Sequence, residues 1–180
     1  MKNHITKVAG RYKGSCTRWD VVNEALNEDG TYRESVFYNT IGEAYIPIAF
    51  AHAAKVDPNA ELFYNDYNLE YNGAKTAGAR RIVDLVKSYG VKIQGVGLQA
   101  HVASEETPTA GPAPGADTLT TVLKSFTALN VDVAYTELDV RMNTPPTPEK
   151  LATQAQVFKN FATSCISVKR CIGITVWVSP

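Results

Sequence analysis

The sequence lacks a charge imbalance, a long apolar run and a recognisable metal-ligand spacing. Eighteen Lys and Arg residues balance eighteen Asp and Glu residues, so the formal net charge is zero. Nucleic-acid and membrane-surface proteins usually need a basic face, and no apolar run approaches the roughly 20 residues that span a bilayer. The three cysteines match no zinc spacing. We therefore expect no nucleic-acid partner, no membrane association, no metal and no cofactor.

The cysteines and the N-terminus leave the cellular compartment open. Residues 1–10 lack the apolar core of a signal peptide, so the sequence itself does not route the chain out of a cell. Cys165 and Cys171 enclose a short loop, and Cys16 stands apart. The three cysteines are either buried thiols or include one local disulfide, which would indicate an oxidising compartment.

What the chain does contain is a repeated unit: a short apolar run, a loop and a longer amphipathic stretch. The predicted strands are 19–24, 62–66, 93–101, 131–137 and 171–177. The predicted helices are 2–12, 43–55, 73–89, 117–129 and 151–164. Asp117 is the expected N-cap of its helix, and Pro47 should lie in a first turn, where proline is tolerated.

This alternation predicts an α/β fold. Strands that are apolar along their length are buried on both faces, as in a parallel sheet, and right-handed crossovers bring their C-terminal ends to one side. A (β/α)8 barrel and an open doubly wound sheet both fit. The absence of a glycine-rich loop after the first strand lowers the case for a nucleotide-binding sheet. A full barrel needs about 250 residues, so five strands in 180 residues fall short of one.

Two glutamates follow apolar strands at matched positions. Glu24 ends the first predicted strand and Glu137 ends the fourth. Glycoside hydrolysis needs two carboxyl groups on either side of the scissile bond, and burial at a strand end tends to raise a carboxyl pKa. The alternative for each glutamate alone is a surface ion pair. Likewise, His101 alone would more often be structural, Trp177 core, and Asp139 a cap.

Five motifs, in chain order, carry a resemblance. They are Trp-Asp-Val-Val-Asn-Glu-Ala at 19–25, Tyr-Asn-Asp-Tyr-Asn at 64–68, Gly-Leu-Gln-Ala-His at 97–101, Thr-Glu-Leu-Asp at 136–139 and Gly-Ile-Thr-Val-Trp at 173–177. The set closely resembles glycoside hydrolase family 10, and fungal endo-β-1,4-xylanases in particular, over nearly the whole chain. The resemblance implies xylan or a xylo-oligosaccharide as substrate and retaining endo-hydrolysis by two glutamates.

The resemblance also implies roles for single residues. Glu24 matches the general acid/base and Glu137 the nucleophile that forms a glycosyl-enzyme intermediate. Asn23 matches the residue that hydrogen-bonds the sugar 2-hydroxyl or the nucleophile. Further matches are Gln99 and Tyr67 in the cleft near the acid/base, His101 beside the nucleophile with Asp139 orienting it, Trp177 under the sugar, and a Cys165–Cys171 disulfide.

Against that family pattern, the chain is expected to be incomplete. It should be a partial (β/α)8 barrel, equivalent to strands 4–8, in which the first three strands and the last helix are missing. Residues 1–180 would then be a single, incomplete catalytic domain of a longer, secreted, extracellular enzyme. Two alternatives stay open: a non-catalytic xylan-binding fragment, and a related retaining β-1,4-glucanase.

Overall fold

Helices and strands alternate along the chain in a computed structural model, which describes residues 1–177. The helices are Lys2–Arg11 (α1), Val36–Ile41 (α2), Tyr45–Val56 (α3), Ala74–Ser88 (α4), Ala116–Thr127 (α5) and Pro148–Ser167 (α6). The strands are Arg18–Asn23 (β1), Glu61–Asp66 (β2), Gly95–Leu98 (β3), His101–Ala103 (β4), Asp132–Arg141 (β5) and Cys171–Val176 (β6).

All the paired strands run parallel, in the order β1-β2-β3-β5-β6, while β4 pairs with the second half of β5. The order follows the chain, with no reversal. A doubly wound sheet would contain a switch point where the order reverses. One-directional winding is instead the wall of a (β/α)8 barrel, which confirms the partial barrel predicted from the sequence. The strands' C-terminal ends therefore lie at one edge.

The two faces of this wall are packed differently. The face toward the helices is mostly apolar and is buried on β2, β3 and β5, and its contacts include the ring of Tyr135 edge-on to Phe161 of α6 at 4.7 Å. On the inner face two glycines make room for larger neighbours. A Cβ on Gly95 would lie 2.2 Å from the ring of Phe63, and one on Gly97 would lie 2.3 Å from Oδ1 of Asn65. Neither distance leaves room for a methyl group.

The strand that precedes Glu24 and the strand that contains Glu137 each have one extra residue relative to their neighbours. In β1, Asp20 pairs with Phe63 and Val22 with the next residue of β2, so Val21 is unpaired. In β5, the three-residue step from Leu98 to His101 on β3 and β4 corresponds to a four-residue step from 135 to 139. Such bulges shift which side chains face each side of a sheet.

Several predicted boundaries change. The predicted strand 93–101 is divided into β3 and β4, because Ala100 has a left-handed backbone with φ of 62°. The prediction of Asp117 as a cap is wrong: Gly115 is the N-cap, and Asp117 lies in the first turn. Helix α6 begins earlier than predicted, because the Thr147 side chain accepts a hydrogen bond from the Lys150 amide. Pro47 lies in the first turn of α3, as predicted.

A disulfide joins Cys165 near the end of α6 to Cys171 at the start of β6, which decides between the two interpretations of the cysteines. Cys16 is a free thiol. Among residues 1–177, none of the helices is long and apolar enough to cross a membrane.

Candidate active site

Glu137, on β5, is held from two directions. Its Oε1 accepts a hydrogen bond from Nδ2 of Asn65 at 2.9 Å, and its Oε2 lies 3.1 Å from Nε2 of His101. Asn65 is fixed in turn, because Thr136 donates its hydroxyl to Oδ1 of that amide at 2.6 Å. The amide orientation is therefore set, with its nitrogen toward Glu137. Both oxygens of the Glu137 carboxylate are therefore held by a neighbouring side chain.

His101 connects Glu137 to Asp139. Its Nδ1 is hydrogen-bonded to the Asp139 carboxylate, and its Nε2 faces Glu137. A neutral imidazole can donate from one nitrogen alone, whereas an imidazolium donates from both. The ring therefore lies between two carboxylates, with Asp139 at one nitrogen and Glu137 at the other. The contact with Asp139 fixes the orientation of the His101 ring.

Glu24, directly after β1, has different partners. Its backbone is left-handed, with φ of 53°, and its amide donates to the Asn65 carbonyl at 2.9 Å. One side-chain oxygen accepts from Nε2 of Gln99 and the other from Arg33, each at 3.1 Å. Arg33 also donates to the Tyr67 hydroxyl at 2.7 Å. A left-handed non-glycine residue is strained, and such residues concentrate at functional sites.

Asn23 links the two glutamates. Its Oδ1 accepts from Nδ2 of Asn65 at 3.0 Å and from Nε2 of Gln99 at 3.1 Å. The same Asn65 nitrogen contacts Glu137, and the same Gln99 nitrogen contacts Glu24. One hydrogen-bond network therefore runs from one carboxylate to the other through three amide side chains.

Both carboxylates line the same open cavity of about 360 Å³ at the C-terminal edge of the strands. This is the edge that carries the active site in barrel enzymes. The cavity is also lined by Tyr67, Asn68, Tyr71, Gln99, His101, Thr109, Ala110 and Arg141. Aromatic faces, amides and charged groups in one concave surface suit a hydroxyl-rich ligand with apolar ring faces.

The wall under Tyr67 is a buried ion pair. Nζ of Lys75 lies 3.1 Å from the Tyr67 ring centroid and 3.1 Å from Oδ1 of Asp66. Lys75 and Asp66 are both buried, and burial raises the pKa of Asp66 although Lys75 and Tyr64 act in the opposite direction. Tyr64 is itself buried against this pair and hydrogen-bonded to Asp66, and Tyr67 lines the cavity above the pair.

Trp177 is placed apart from this group. Its amide donates to the carbonyl of Leu138 at 3.0 Å, one residue from Glu137. Its side chain is 58% exposed and is not among the residues that line the cavity in the described part of the chain. The other predicted site residues, Glu24, Glu137, Asn23, Tyr67, Gln99, His101 and Asp139, all belong to the network or line the cavity.

Sequence reasoning missed Arg33 and Asn65 as site residues. Asn65 lies in the motif at 64–68, where its position inside a buried strand was a usable signal. Arg33 lies at no strand end. It reaches Glu24 because residues 26–32 form a loop closed by an antiparallel bridge between Leu26 and Tyr32, after which the Arg33 amide donates to the Ala25 carbonyl at 2.8 Å.

The chain is similar to known proteins along nearly its whole length. The profile of glycosyl hydrolase family 10 matches residues 1–179. The chain is 64% identical over 178 residues to endo-1,4-beta-xylanase 1 of Gibberella zeae, covering 98% of this chain and 50% of that protein. It is 64% identical over 180 residues to endo-1,4-beta-xylanase 2 of Aureobasidium pullulans, again covering 98% and 50%.

Solved structures give the same result for the fold. A family 10 xylanase from a Bispora species, crystallised with xylobiose, superimposes with a TM-score of 0.91 at 40% identity. The match covers 98% of this chain and 53% of that one. The chain thus spans about half the length of the curated relatives it matches.

Proposed function

The chain belongs to glycosyl hydrolase family 10, and from this membership we propose that its site cleaves internal β-1,4-xylosidic bonds of xylan with retention of anomeric configuration. The observation that carries the proposal is that Glu24 and Glu137 line one cavity and share one hydrogen-bond network. Two carboxyl groups on either side of a glycosidic bond are the minimum for this reaction. The substrate class is supported by the relatives' names and by a xylobiose-bound neighbour.

In the first step, the Glu137 carboxylate attacks the anomeric carbon while Glu24 donates its proton to the glycosidic oxygen. The C–O bond to the leaving sugar breaks, and its electron pair takes the Glu24 proton. A covalent ester then joins Glu137 to the sugar. In the second step, Glu24 removes a proton from water, the water oxygen attacks the anomeric carbon, and the Glu137 carboxylate leaves.

The remaining residues would position the groups that react. Asn65 and His101 hold the two oxygens of Glu137 and so fix the direction of attack. Asn23 would hydrogen-bond the sugar 2-hydroxyl or Glu137. Tyr67 and Gln99 would shape the cleft beside Glu24. Trp177 would supply an aromatic surface for a sugar ring.

We further propose that residues 1–180 form one segment of a single catalytic domain whose whole enzyme acts outside the cell. The family match extends over 1–179, and the Cys165–Cys171 disulfide favours an oxidising compartment. The xylanases that match this chain are about twice its length, so the substrate specificity of the whole enzyme is likewise proposed.

The test is reducing-sugar release from xylan by the purified chain, with Glu137→Gln as the control. We expect release that vanishes in the variant, because an amide cannot act as the nucleophile. A folded chain that binds xylan without cleaving it would identify a non-catalytic xylan-binding fragment. Faster cleavage of a β-1,4-glucan than of xylan would identify a glucanase. Proton NMR of the first product anomer decides retention against inversion.

A further inference from the structure

A buried carboxyl group beneath the cavity has no role in the reaction just described. Glu70 lies in the 3-10 turn Leu69–Tyr71 after β2, and its side chain is 0% exposed. Its Oε1 accepts the backbone N–H of Ala100 at 2.7 Å, whereas Oε2 has no hydrogen-bond partner among the described residues. Burial of a carboxyl group is costly unless hydrogen bonds offset it, so this contact calls for an explanation.

The partner of Glu70 occupies a distinctive position. Ala100 is the left-handed residue, with φ of 62°, that separates β3 from β4. Residues other than glycine, asparagine and aspartate rarely adopt this conformation without support. On one side of Ala100, Gln99 donates to Glu24, and on the other side His101 faces Glu137. The turn at Ala100 therefore determines the direction of one side chain at each glutamate.

We propose that Glu70 is a positioning residue, which holds Ala100 in its left-handed conformation and so directs Gln99 to Glu24 and His101 to Glu137. The proposal rests on the proposed function for the roles of the two glutamates. The hydrogen bond and its effect on the turn do not depend on those roles. Glu70 touches neither the cavity nor a reacting atom, and it acts through the backbone.

The surroundings of Glu70 explain why its carboxyl can be an acceptor without a buried full charge. Burial raises the pKa of Glu70 to about 7, and nearby Asp66 adds to the rise, while His101 and the Ala100 amide oppose it. Tyr71 on its own turn and Tyr135 on β5 are the other titratable neighbours. On α4, Lys75 is paired with Asp66, and the buried residues of α5 are apolar: Leu119, Val122, Leu123 and Phe126.

Two variants separate the hydrogen bond from the volume of the side chain. Glu70→Gln keeps an acceptor oxygen, and Glu70→Leu removes it at similar size. In the nitrogen-15-labelled chain, we expect Gln to keep amide hydrogen exchange at Ala100 within about threefold of wild type, and Leu to speed it at least roughly tenfold. The His101 ring resonances should move in the Leu variant and stay near wild type in the Gln variant.

A second substitution distinguishes positioning from packing. Glycine adopts the left-handed region without support, so Ala100→Gly in the Glu70→Leu background should return the His101 resonances toward those of the Ala100→Gly single variant. No return would mean that the effect of Glu70→Leu does not act through the backbone of Ala100, and the proposal would be wrong. Wild-type exchange at Ala100 in a folded Glu70→Leu variant would overturn it as well.

Should Glu70→Leu fail to fold, wild type and Glu70→Gln decide the question by pH titration. The Ala100 amide resonance in wild type should follow ionisation of the Glu70 carboxyl, with a midpoint near the carboxyl's own, and the step should be absent in the Gln variant. An Ala100 amide resonance that does not change as Glu70 ionises would show that the two groups are not hydrogen-bonded. None of these measurements uses substrate, so failure to cleave xylan would contradict the proposed function without touching this inference.

Discussion

The two glutamates have surroundings of different origin. Around Glu137, the contacts come from strands: Asn65 on β2 and His101 on β4. Around Glu24, one contact is Arg33, which a loop brings back to the end of β1, and the other is Gln99 at the end of β3. Donors on strands are held by the sheet, whereas a loop-borne donor can be changed at less cost to the fold. Glu137, the proposed nucleophile, is thus held by residues of the sheet, whereas one contact of Glu24, the proposed acid/base, comes from a loop.

The largest expected effect is the loss of either carboxyl, and the pattern of loss separates the two roles. Glu137→Ala should lower cleavage of xylan and of an aryl xyloside with a good leaving group alike, by roughly a thousandfold or more, because both need the nucleophile. Glu24→Ala should cost about 10²- to 10⁴-fold on xylan, and far less in the first step with the aryl xyloside, which needs no proton. Equal losses on both substrates in Glu24→Ala would contradict the assignment.

The next largest effect concerns Glu70, which acts through Ala100 on the surroundings of both Glu24 and Glu137. Its pKa is raised from 4.5 to about 7 in the folded chain, so between those values the folded state binds more protons than the unfolded state. Stability should therefore fall by about 3 kcal/mol as pH rises from 4.5 to 7, and level off above. Urea unfolding across that range should show this slope in wild type relative to Glu70→Gln. Parallel curves for the two proteins would exclude the shift.

A smaller effect tests the claim that the surroundings of Glu137 are fixed by the sheet. A Cβ at Gly97 would lie 2.3 Å from Oδ1 of Asn65 and 2.7 Å from Cγ2 of Thr136. Gly97→Ala should therefore displace Asn65 and destabilise the fold by about 2 kcal/mol, with a parallel loss of activity. Gly173→Ala on β6 is the matched control, because a Cβ there meets nothing within 4 Å. Equal destabilisation in the two variants would count against the clash.

The smallest effect tests the loop-borne contact. Arg33→Met removes the guanidinium from Glu24 and Tyr67, and we expect kcat/KM on xylan to fall about tenfold or less. The loss is limited to about 1 kcal/mol because the Arg33 and Glu24 side chains are 37% and 33% exposed. Arg18→Met is the control, since Arg18 pairs with Glu61 at 2.6 Å, at the opposite end of the strands. A large fall in stability for Arg33→Met, rather than in activity, would show that this loop contact mainly stabilises the fold.

Much of this site could be predicted because it follows from parallel strands. Apolar runs located β1, β2, β5 and β6, and the C-terminal ends of parallel strands meet at one edge. The sequence therefore predicted that Glu24, Gln99, His101 and Glu137, which end predicted strands, lie close together. Trp177 was predicted under the sugar by resemblance, and that role stays a prediction.

The remainder depended on tertiary contacts that leave no local signal. Nothing in Gln99-Ala100-His101 marks a left-handed residue, since alanine favours that region far less than glycine or asparagine. The break there depends on Glu70, thirty positions earlier. Helix α2, six residues long, was not predicted, because so short a segment shows little periodicity. Arg33 was missed because its position is set by how a loop closes.

The extra residue in β5 shifts the two-residue alternation of side chains along the strand by one position. Before it, positions 133 and 135 face the helices, and after it positions 138 and 140 do, so the even and odd registers exchange. Thr136 and Glu137 are consecutive, yet both reach the side chain of Asn65. A single deletion at the bulge would restore uninterrupted alternation and leave one inward-facing side chain in place of two, so Thr136 and Glu137 could not both reach Asn65. Insertions and deletions at this point should therefore be less tolerated than a substitution of Thr136, which keeps both inward-facing positions.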